Sequence, residues 1–275
     1  MENYKVIFLD VDGTLIDHTL RVPPSAKEAI IQAKAKGHKL YINTGRSISQ
    51  IYDEVWALGF DGFIGGNGIH IQEHGKVIFD HPIPPELMDK IFNYLTEHQI
   101  GFIEESSSSM YAHTSYLPAI ARLLGMTINE AREATDHIFP STHYNCTTWH
   151  RDVNKVSFVL NEGVDVEAVR EYVKPELILG SWALFGTKRE FADIYQANIT
   201  KGSGVEFVMR HLGKPVADAC AFGDADNDIA MIKTAGVGVA MGNAIPSVKA
   251  AADYVTDPVT EDGLWKAFKH LGLID

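Results

Sequence analysis

Short apolar runs separated by longer stretches of helical period occupy both ends of the chain, the pattern of parallel strands joined by crossover helices. The runs predicted as strands are VIFLD (6–10), KLYINT (39–44), GFIGG (62–66), ACAFGD (219–224), VGVAM (237–241) and YVTD (254–257). Several end in Asp, Thr or Gly. Ligands of open α/β sheets bind beyond the carboxyl ends of the strands, so chemistry is expected at those endings. The helices between them carry start and stop signals. Ser25 with Glu28 and Ser47 with Gln50 have capping-box spacing, and Gly37 and Gly59 follow as C-terminal stops.

The pattern changes at His81-Pro82-Ile83-Pro84-Pro85, where three prolines resist helix and central strand and suit a linker. Beyond it the spacing predicts a helix over 86–99, a strand over 101–105, a hairpin tip at the serine run 106–109 and two helices between 116 and 137. A strand over 156–161, a helix over 164–173 and strands within 176–195 follow. This middle section is α+β, and the alternating pattern resumes after it. The prediction is an α/β parallel-sheet core built from 1–83 and 194–275, with an α+β domain inserted over 84–193. No internal repeat occurs.

A length of 275 residues at 45% hydrophobic content supplies the core for one large domain or two ordinary ones. With 24 basic against 36 acidic residues, the net charge of -12 argues against nucleic acid or an anionic membrane as the main partner. Cys146 and Cys220 lie 74 positions apart, a spacing that suits neither a disulfide framework nor a zinc finger, and both read as inert core thiols of a reducing compartment. Only four apolar residues follow MENYK before Asp10, and no run of about eighteen apolar residues occurs. The chain reads as cytoplasmic, which makes the triplets at Asn145 and Asn198 chance matches to a glycosylation signal.

The first strand runs straight into Asp10 and Asp12. Two anions at one strand end repel each other unless a cation or a reaction offsets the cost. Asp10 is the nucleophile candidate, since a carboxylate can carry a transferred group covalently, and Asp12 is close enough to act as general acid and then base. Gly13 permits the turn, and Thr14 adds a polar contact. Taken alone, the pair equally describes an acidic strand end capping the next turn.

The segment FGDADND (222–228) supplies further acids, with Asp228 one helical turn beyond Asp224, while Asp226 reads as no more than a helix cap. Carboxylates from two strand ends suit a hard cation, with Mg2+ the matching case, and the EF-hand pattern is not met. Thr44-Gly45-Arg46 precedes a helix predicted to start near Ser47, so a hydroxyl and helix N-terminal amides converge on an anion site. Arg46 reads as part of that site, or simply as a surface arginine or an ion-pair partner. Lys201, ahead of Gly202, is a cation that could neutralise both a carboxylate and a phosphoryl group. Neither a Walker sequence nor a dinucleotide fingerprint is present, and the twelve histidines show no zinc pattern.

Together, Asp10-Val-Asp12-Gly-Thr14, Thr44-Gly45-Arg46, Lys201-Gly202 and Gly223-Asp224-Ala-Asp-Asn227-Asp228 resemble the four ordered motifs of the haloacid dehalogenase (HAD) superfamily of phosphohydrolases. The insert's size and place, Gly66-Asn67-Gly68 and Ala240-Met-Gly-Asn243-Ala resemble its Cof-like, type-IIB branch. The resemblance implies a Rossmann-like core with a cap. It also implies an aspartyl-phosphate on Asp10, with Asp12 as acid and base. Mg2+ would be held by the Asp10 and Asp224 carboxylates and the Asp12 carbonyl, supported by Asp228. Thr44, Gly45, Lys201 and Asn227 would hold phosphate. The connections at Pro82–Pro85 and Gln196–Asn198 would act as cap hinges.

The expected ligand is a small phosphorylated metabolite, sugar phosphates first, and Tyr111, His113, Trp149, His150 and Arg151 are cap candidates for facing it. A sugar phosphomutase and a non-catalytic phospho-ligand sensor are the alternatives. The intact Asp10 and Asp12 argue against the sensor. No oligomeric state is legible.

Overall fold

Val6–Leu9, four fully buried apolar residues, form strand β1. The chain continues through α1 (Pro24–Ala35), β2 (Lys39–Asn43), the one-turn α2 (Asp53–Trp56), β3 (Gly62–Gly65) and a hairpin of β4 (His70–Glu73) and β5 (Lys76–Asp80). Next come α3 (Pro85–Glu97), β6 (Phe102–Ser106), β7 (Met110–His113), α4 (Tyr116–Leu124), α5 (Ile128–Ile138), β8 (Thr142–Cys146), β9 (Val153–Val159), α6 (Val166–Val173), β10 (Leu177–Trp182) and β11 (Phe191–Gln196). The last stretch holds α7 (Lys201–His211), β12 (Ala219–Gly223), α8 (Ile229–Thr234), β13 (Val237–Ala240), α9 (Pro246–Ala251), β14 (Tyr254–Val255) and α10 (Gly263–His270). This computed structural model describes residues 4–107, 109–139, 141–182 and 190–275. Contacts divide the chain into two units: the chain up to Arg46 with Ile51–Asp80 and Ile199–Asp275, and Ser47–Gln50 with His81–Asn198.

In the first unit the strands order as β14-β13-β12-β1-β2-β3-β4-β5. The six from β14 to β3 are parallel, and β4 and β5 extend the sheet antiparallel. All six strands read from the apolar runs are present. Alternate residues Val6 and Phe8 pack with Tyr41, Ile64 and α7 residues Val205, Val208 and Met209, while Ile7 and Leu9 are buried as well. Burial on both faces is why these strands read as continuous apolar runs. The β4–β5 hairpin was not anticipated. It turns through His74 and Gly75, both at positive φ, as a two-residue hairpin loop requires.

The second unit carries its own mixed sheet, ordered β10-β11-β9-β6-β7-β8, in which only β7 and β8 pair parallel. Phe102, Phe158, Ala192 and Ile194 face α3 and α6 on one side, and Ile103, Ala112, Val159 and Phe191 face α4 and α5 on the other. Thr127 and Glu130 form a capping box on α5, and Asp165 caps α6. Strands β7 and β8 went unpredicted. The serine run does join the antiparallel pair β6 and β7, with Ser106 N donating to Ser109 O; Ser108 lies outside the described residues, as do residues 183–189 of the stretch where strands were expected.

Two helix-start signals did not form as read. Helix α1 begins at Pro24 behind Pro23, with no side-chain cap, because proline already presets the first-turn φ. After Ser47 there is only a 3-10 turn over Ile48–Gln50, in which Gln50 Oε1 accepts from Ser47 N, so no helix N-terminus stands beside Thr44. Gly37 and Gly59 do end their segments at positive φ. Cys220 is buried, but Cys146 is only partly so. Among the described residues no helix is long and apolar enough to cross a membrane.

Candidate active site

Parallel register places the candidate residues at one edge of the first unit's sheet. Leu9 pairs with both Ile42 and Phe222, so the chain leaves β1 at Asp10, β2 at Thr44 and β12 at Asp224 on the same carboxyl-end side. Asp10 N donates to Phe222 O at 3.1 Å, continuing the ladder by one residue. Gly13 then turns at φ +79°, where a Cβ would lie 2.3 Å from the Asp224 carboxylate. The turn is held by Thr14 Oγ1 donating to Asp224 Oδ1 at 3.0 Å and by Asn243 Nδ2 donating to Gly13 O at 2.8 Å.

Lys201 opens α7, whose N-cap Thr200 shares a capping box with Ser203. Its side chain is fully buried, and Nζ donates to Asp10 Oδ1 at 2.7 Å and Asp228 Oδ1 at 2.6 Å. Burial alone would depress the ammonium, but Asp10 and Asp228 outweigh it and hold Lys201 above the ordinary lysine range. Asp228 Oδ2 accepts from the amides of Asp224 and Ala225 at 2.8 and 2.9 Å, a cap directed back at the strand end. That cap needs Gly223, since a Cβ there would sit 2.4 Å from Asp228. Asp226 is not the cap that the sequence suggested; its Oδ1 accepts from Ser247 Oγ at 3.1 Å.

Asp10, Asp224 and Asp228 offer carboxylate oxygens within 4.8 Å of one another, the one such metal-ligating group among the described residues. Three carboxylates face one ammonium, and the imbalance is visible in the acids. Burial and then Asp228 push Asp10 well above the usual carboxylate range, and the same two causes push Asp224 to about 7. With Asp10 Oδ1 bonded to Lys201, Asp224 Oδ1 to Thr14 and both Asp228 oxygens committed, the second oxygens of Asp10 and Asp224 stay available among the described residues. An all-oxygen set with excess negative charge fits a hard divalent cation.

The anion-site candidates also meet. Asn227 Nδ2 donates to Asn67 Oδ1 at 3.0 Å, and Asn67 N donates to Thr44 O at 3.0 Å, so Asn67 links Asn227 to the Thr44-Gly45 turn. Buried Asn67 adopts φ 62°, and a Cβ on Gly45 would approach both Asn side chains to 3.2–3.3 Å. Arg46 turns elsewhere: Nε and Nη2 each donate to an Asp12 oxygen at 2.7 Å.

The roles of Asn43, Asn67 and Asn243 in holding the site were missed. Asn43, a buried amide closing an apolar strand, donates to Lys201 O at 3.0 Å. A polar residue at that position and an Asn between two glycines were the available signals. Of the cap candidates, Tyr111 stacks on His150 at 3.6 Å, His113 on Phe102 at 4.5 Å, Trp149 Nε1 donates to Asp89 Oδ1, and His150 is bonded to Glu104. Arg151 lines a cavity of about 400 Å³ with Asp89, Phe92, Asn93 and Trp149.

A mainly parallel sheet with clustered strand-end carboxylates and a buried lysine is the arrangement expected of a phosphohydrolase, and the second unit adds a mixed sheet of its own. Residues 7–268 match the haloacid dehalogenase-like hydrolase family, and the chain belongs to it. It is 31% identical over 273 residues to the putative phosphatase YkrA of Bacillus subtilis (strain 168), with 98% of each chain covered. It is 29% identical to the pyridoxal phosphate phosphatase YbhA of Escherichia coli (strain K12), over 94% of this chain and 96% of that one. The structure is similar to that of the HAD subclass IIB sugar phosphatase BT4131, with a TM-score of 0.79 and 30% identity over 98% of this chain and 100% of that one. The chain is thus a phosphoric monoester hydrolase of the Cof-like IIB group.

Proposed function

We propose that this phosphatase hydrolyses small phosphorylated metabolites, sugar phosphates foremost, in a Mg2+-dependent reaction through an aspartyl-phosphate on Asp10. One observation carries the reading: buried Lys201 bridges Asp10 and Asp228 at 2.7 and 2.6 Å, with Asp224 in the same cluster at the strand ends. Similarity to a sugar phosphatase and to a pyridoxal phosphate phosphatase supports the substrate class.

Asp10 and Asp224, with the backbone carbonyl of Asp12, would hold Mg2+, which when bound supplies positive charge to the phosphoryl oxygens. In the first half-reaction an Asp10 oxygen bonds to phosphorus as the bond from phosphorus to the leaving oxygen breaks. Asp12 gives its proton to that oxygen. In the second, Asp12 takes a proton from water while the water oxygen bonds to phosphorus and the Asp10–phosphorus bond breaks, releasing phosphate. Lys201 balances charge on Asp10 and on the phosphoryl group, and Asp228 fixes Lys201. Thr44, Gly45 and Asn227 hold the phosphoryl oxygens during both halves.

The test is phosphate release across a panel of phosphorylated sugars, nucleotides and vitamin precursors, ranked by kcat/KM, with and without a chelator. Metal-dependent release with a sugar phosphate at the top is expected. Turnover that survives chelation would overturn the metal assignment, and isomerisation dependent on a bisphosphate primer would replace hydrolysis by a mutase reaction.

A further inference from the structure

We propose that Arg46 is the positioning residue for Asp12, fixing the carboxylate so that its proton meets the leaving oxygen. The inference rests on the proposed role of Asp12 as acid and base and extends it to a residue that the mechanism above leaves out.

Asp12 stands three residues past the end of β1, and its side chain is 49% exposed. A short carboxylate in that setting has several staggered rotamers open to it. Among the described residues, no side chain other than Arg46 bonds its oxygens. Arg46 engages both at once, Nε to Oδ2 and Nη2 to Oδ1, each at 2.7 Å. A planar two-point fork sets the carboxylate plane as well as its distance, which a lysine cannot do. Each oxygen accepts one N–H and keeps a lone pair for a leaving oxygen or a water.

The guanidinium is itself held. It lies over the Tyr52 ring at 5.1 Å, and its side chain is only 18% exposed. Arg46 N donates to Thr44 Oγ1 at 3.2 Å, and its carbonyl accepts from Gly66 N at 3.0 Å. A surface ion pair has no need of a stacked ring and two backbone anchors. These contacts make Arg46 a fixed post placed on the same strand-end turn as the phosphate-site residues Thr44 and Gly45.

The test uses leaving-group dependence. An alkyl oxygen such as that of a hexose 6-phosphate needs a proton to depart, whereas p-nitrophenolate does not. The ratio kcat/KM reports steps up to phosphoryl transfer. Arg46→Ala should lower kcat/KM about 10²-fold on the hexose phosphate, the loss expected of a misplaced catalytic group, and under about threefold on p-nitrophenyl phosphate. The loss should lie in kcat more than in KM. Arg46→Lys should restore little, and Tyr52→Ala, which keeps the guanidinium but removes its support, should show a weaker form of the same selective loss. In an Asp12→Ala background, Arg46→Ala should cost nothing further on the hexose phosphate. Circular dichroism and thermal midpoints verify that each variant is folded.

Equal losses on both substrates, full rescue by lysine, or an undiminished Arg46→Ala effect in the Asp12→Ala background would overturn the positioning role while leaving the mechanism standing. Unchanged turnover of the hexose phosphate by Asp12→Ala itself would remove the acid role and this inference with it.

Discussion

Each unit of the molecule buries a lysine among carboxylates, and the two clusters differ in how they close. In the inserted domain, Lys155 Nζ contacts Glu105 Oε2 and Asp193 Oδ2, each at 3.1 Å, while Ser157 Oγ lies 2.5 Å from Glu105 Oε1 and 2.6 Å from Asp193 Oδ1. All four carboxylate oxygens are occupied. The Ser157 hydroxyl lies between the two carboxyls and links them. Burial holds Glu105 above the usual carboxylate range, against the pull of Lys155. The ammonium faces two carboxyl groups whose oxygens are all engaged. Around Lys201 three carboxylates surround one ammonium, and two oxygens stay open. A closed cluster needs nothing further, whereas an open, anion-rich one is what the proposed metal-dependent chemistry requires.

The largest expected effect separates the two by chemistry. Asp10→Asn should lower kcat by about 10⁴ or more, because under the proposed mechanism it removes the group that would carry the phosphoryl intermediate. The same change should raise the thermal midpoint of the metal-free protein, since it relieves a buried acid already pushed far above its ordinary pKa. Glu105→Gln keeps the shape of a closed cluster, so turnover and its metal response should persist. Phosphate release and thermal melts check both, and a Glu105→Gln variant as inactive as Asp10→Asn would dissolve the contrast.

Removing the cations comes next. Lys201→Met and Lys155→Met each strand buried carboxylates, a loss of about 3–5 kcal/mol when one partner of a buried pair is deleted. Lys155→Met should fall at the low end, because it strands two carboxyls where Lys201→Met strands three. Urea denaturation with and without Mg2+ should show partial recovery for Lys201→Met alone. Equal recovery would mean that the ion does not distinguish the clusters.

Metal addition to the unaltered protein is a smaller effect. Mg2+ at about a hundred times its Kd should stabilise the fold by about 2.7 kcal/mol. The increment should vanish in Asp224→Asn and survive in Glu105→Gln, as read by thermal midpoint against Mg2+ concentration. An increment of the same size in Asp224→Asn would place the ion elsewhere.

What the sequence made legible follows from the physics of each region. Buried parallel strands are apolar on both faces, so all six declared themselves, and the acids that end them fall one residue past the ladder, where Asp10 and Asp224 sit. Motif order then brought Lys201 and Asp228 into the same reading. Strand β7, between β6 and the edge strand β8, and β8 itself are short and alternate apolar with polar residues, a fainter signal than a continuous apolar run; Thr142, Tyr144 and Cys146 are only half-buried. Contacts made across long separations were illegible too. Nothing local in Arg46 points to Asp12, nor in Asn67 to Asn227, and Lys155 reads as one more charged residue until pairing sets it against Glu105 and Asp193. At Ser25 the cap spacing is overridden by the prolines just before it, while at Ser47 the spacing yields the Gln50 contact on a 3-10 turn instead of a helix.

The finest test concerns pH, and it again turns on what a metal can offset. Glu104, on the opposite face of β6 from Glu105, accepts from His150 N at 3.1 Å and stands 2.9 Å from His150 Nδ1. Burial pushes its carboxyl from 4.5 to about 7, with His150 pulling the other way. The folded chain therefore keeps this proton up to about pH 7, while the unfolded chain releases it near 4.5. Stability from this group is fully present below pH 4.5 and is lost as pH rises through 7. Asp224 has the same sign, but a bound divalent ion favours its ionised form, so saturating Mg2+ should cancel its share of the slope and leave that of Glu104. Glu104→Gln retains an acceptor for the His150 amide and has nothing to titrate. Melts from pH 5 to 8 in Mg2+ should show the variant gaining on the unaltered protein as pH rises, by about 1–3 kcal/mol across the window. Parallel curves would show that Glu104 is ionised throughout, its burial compensated by His150.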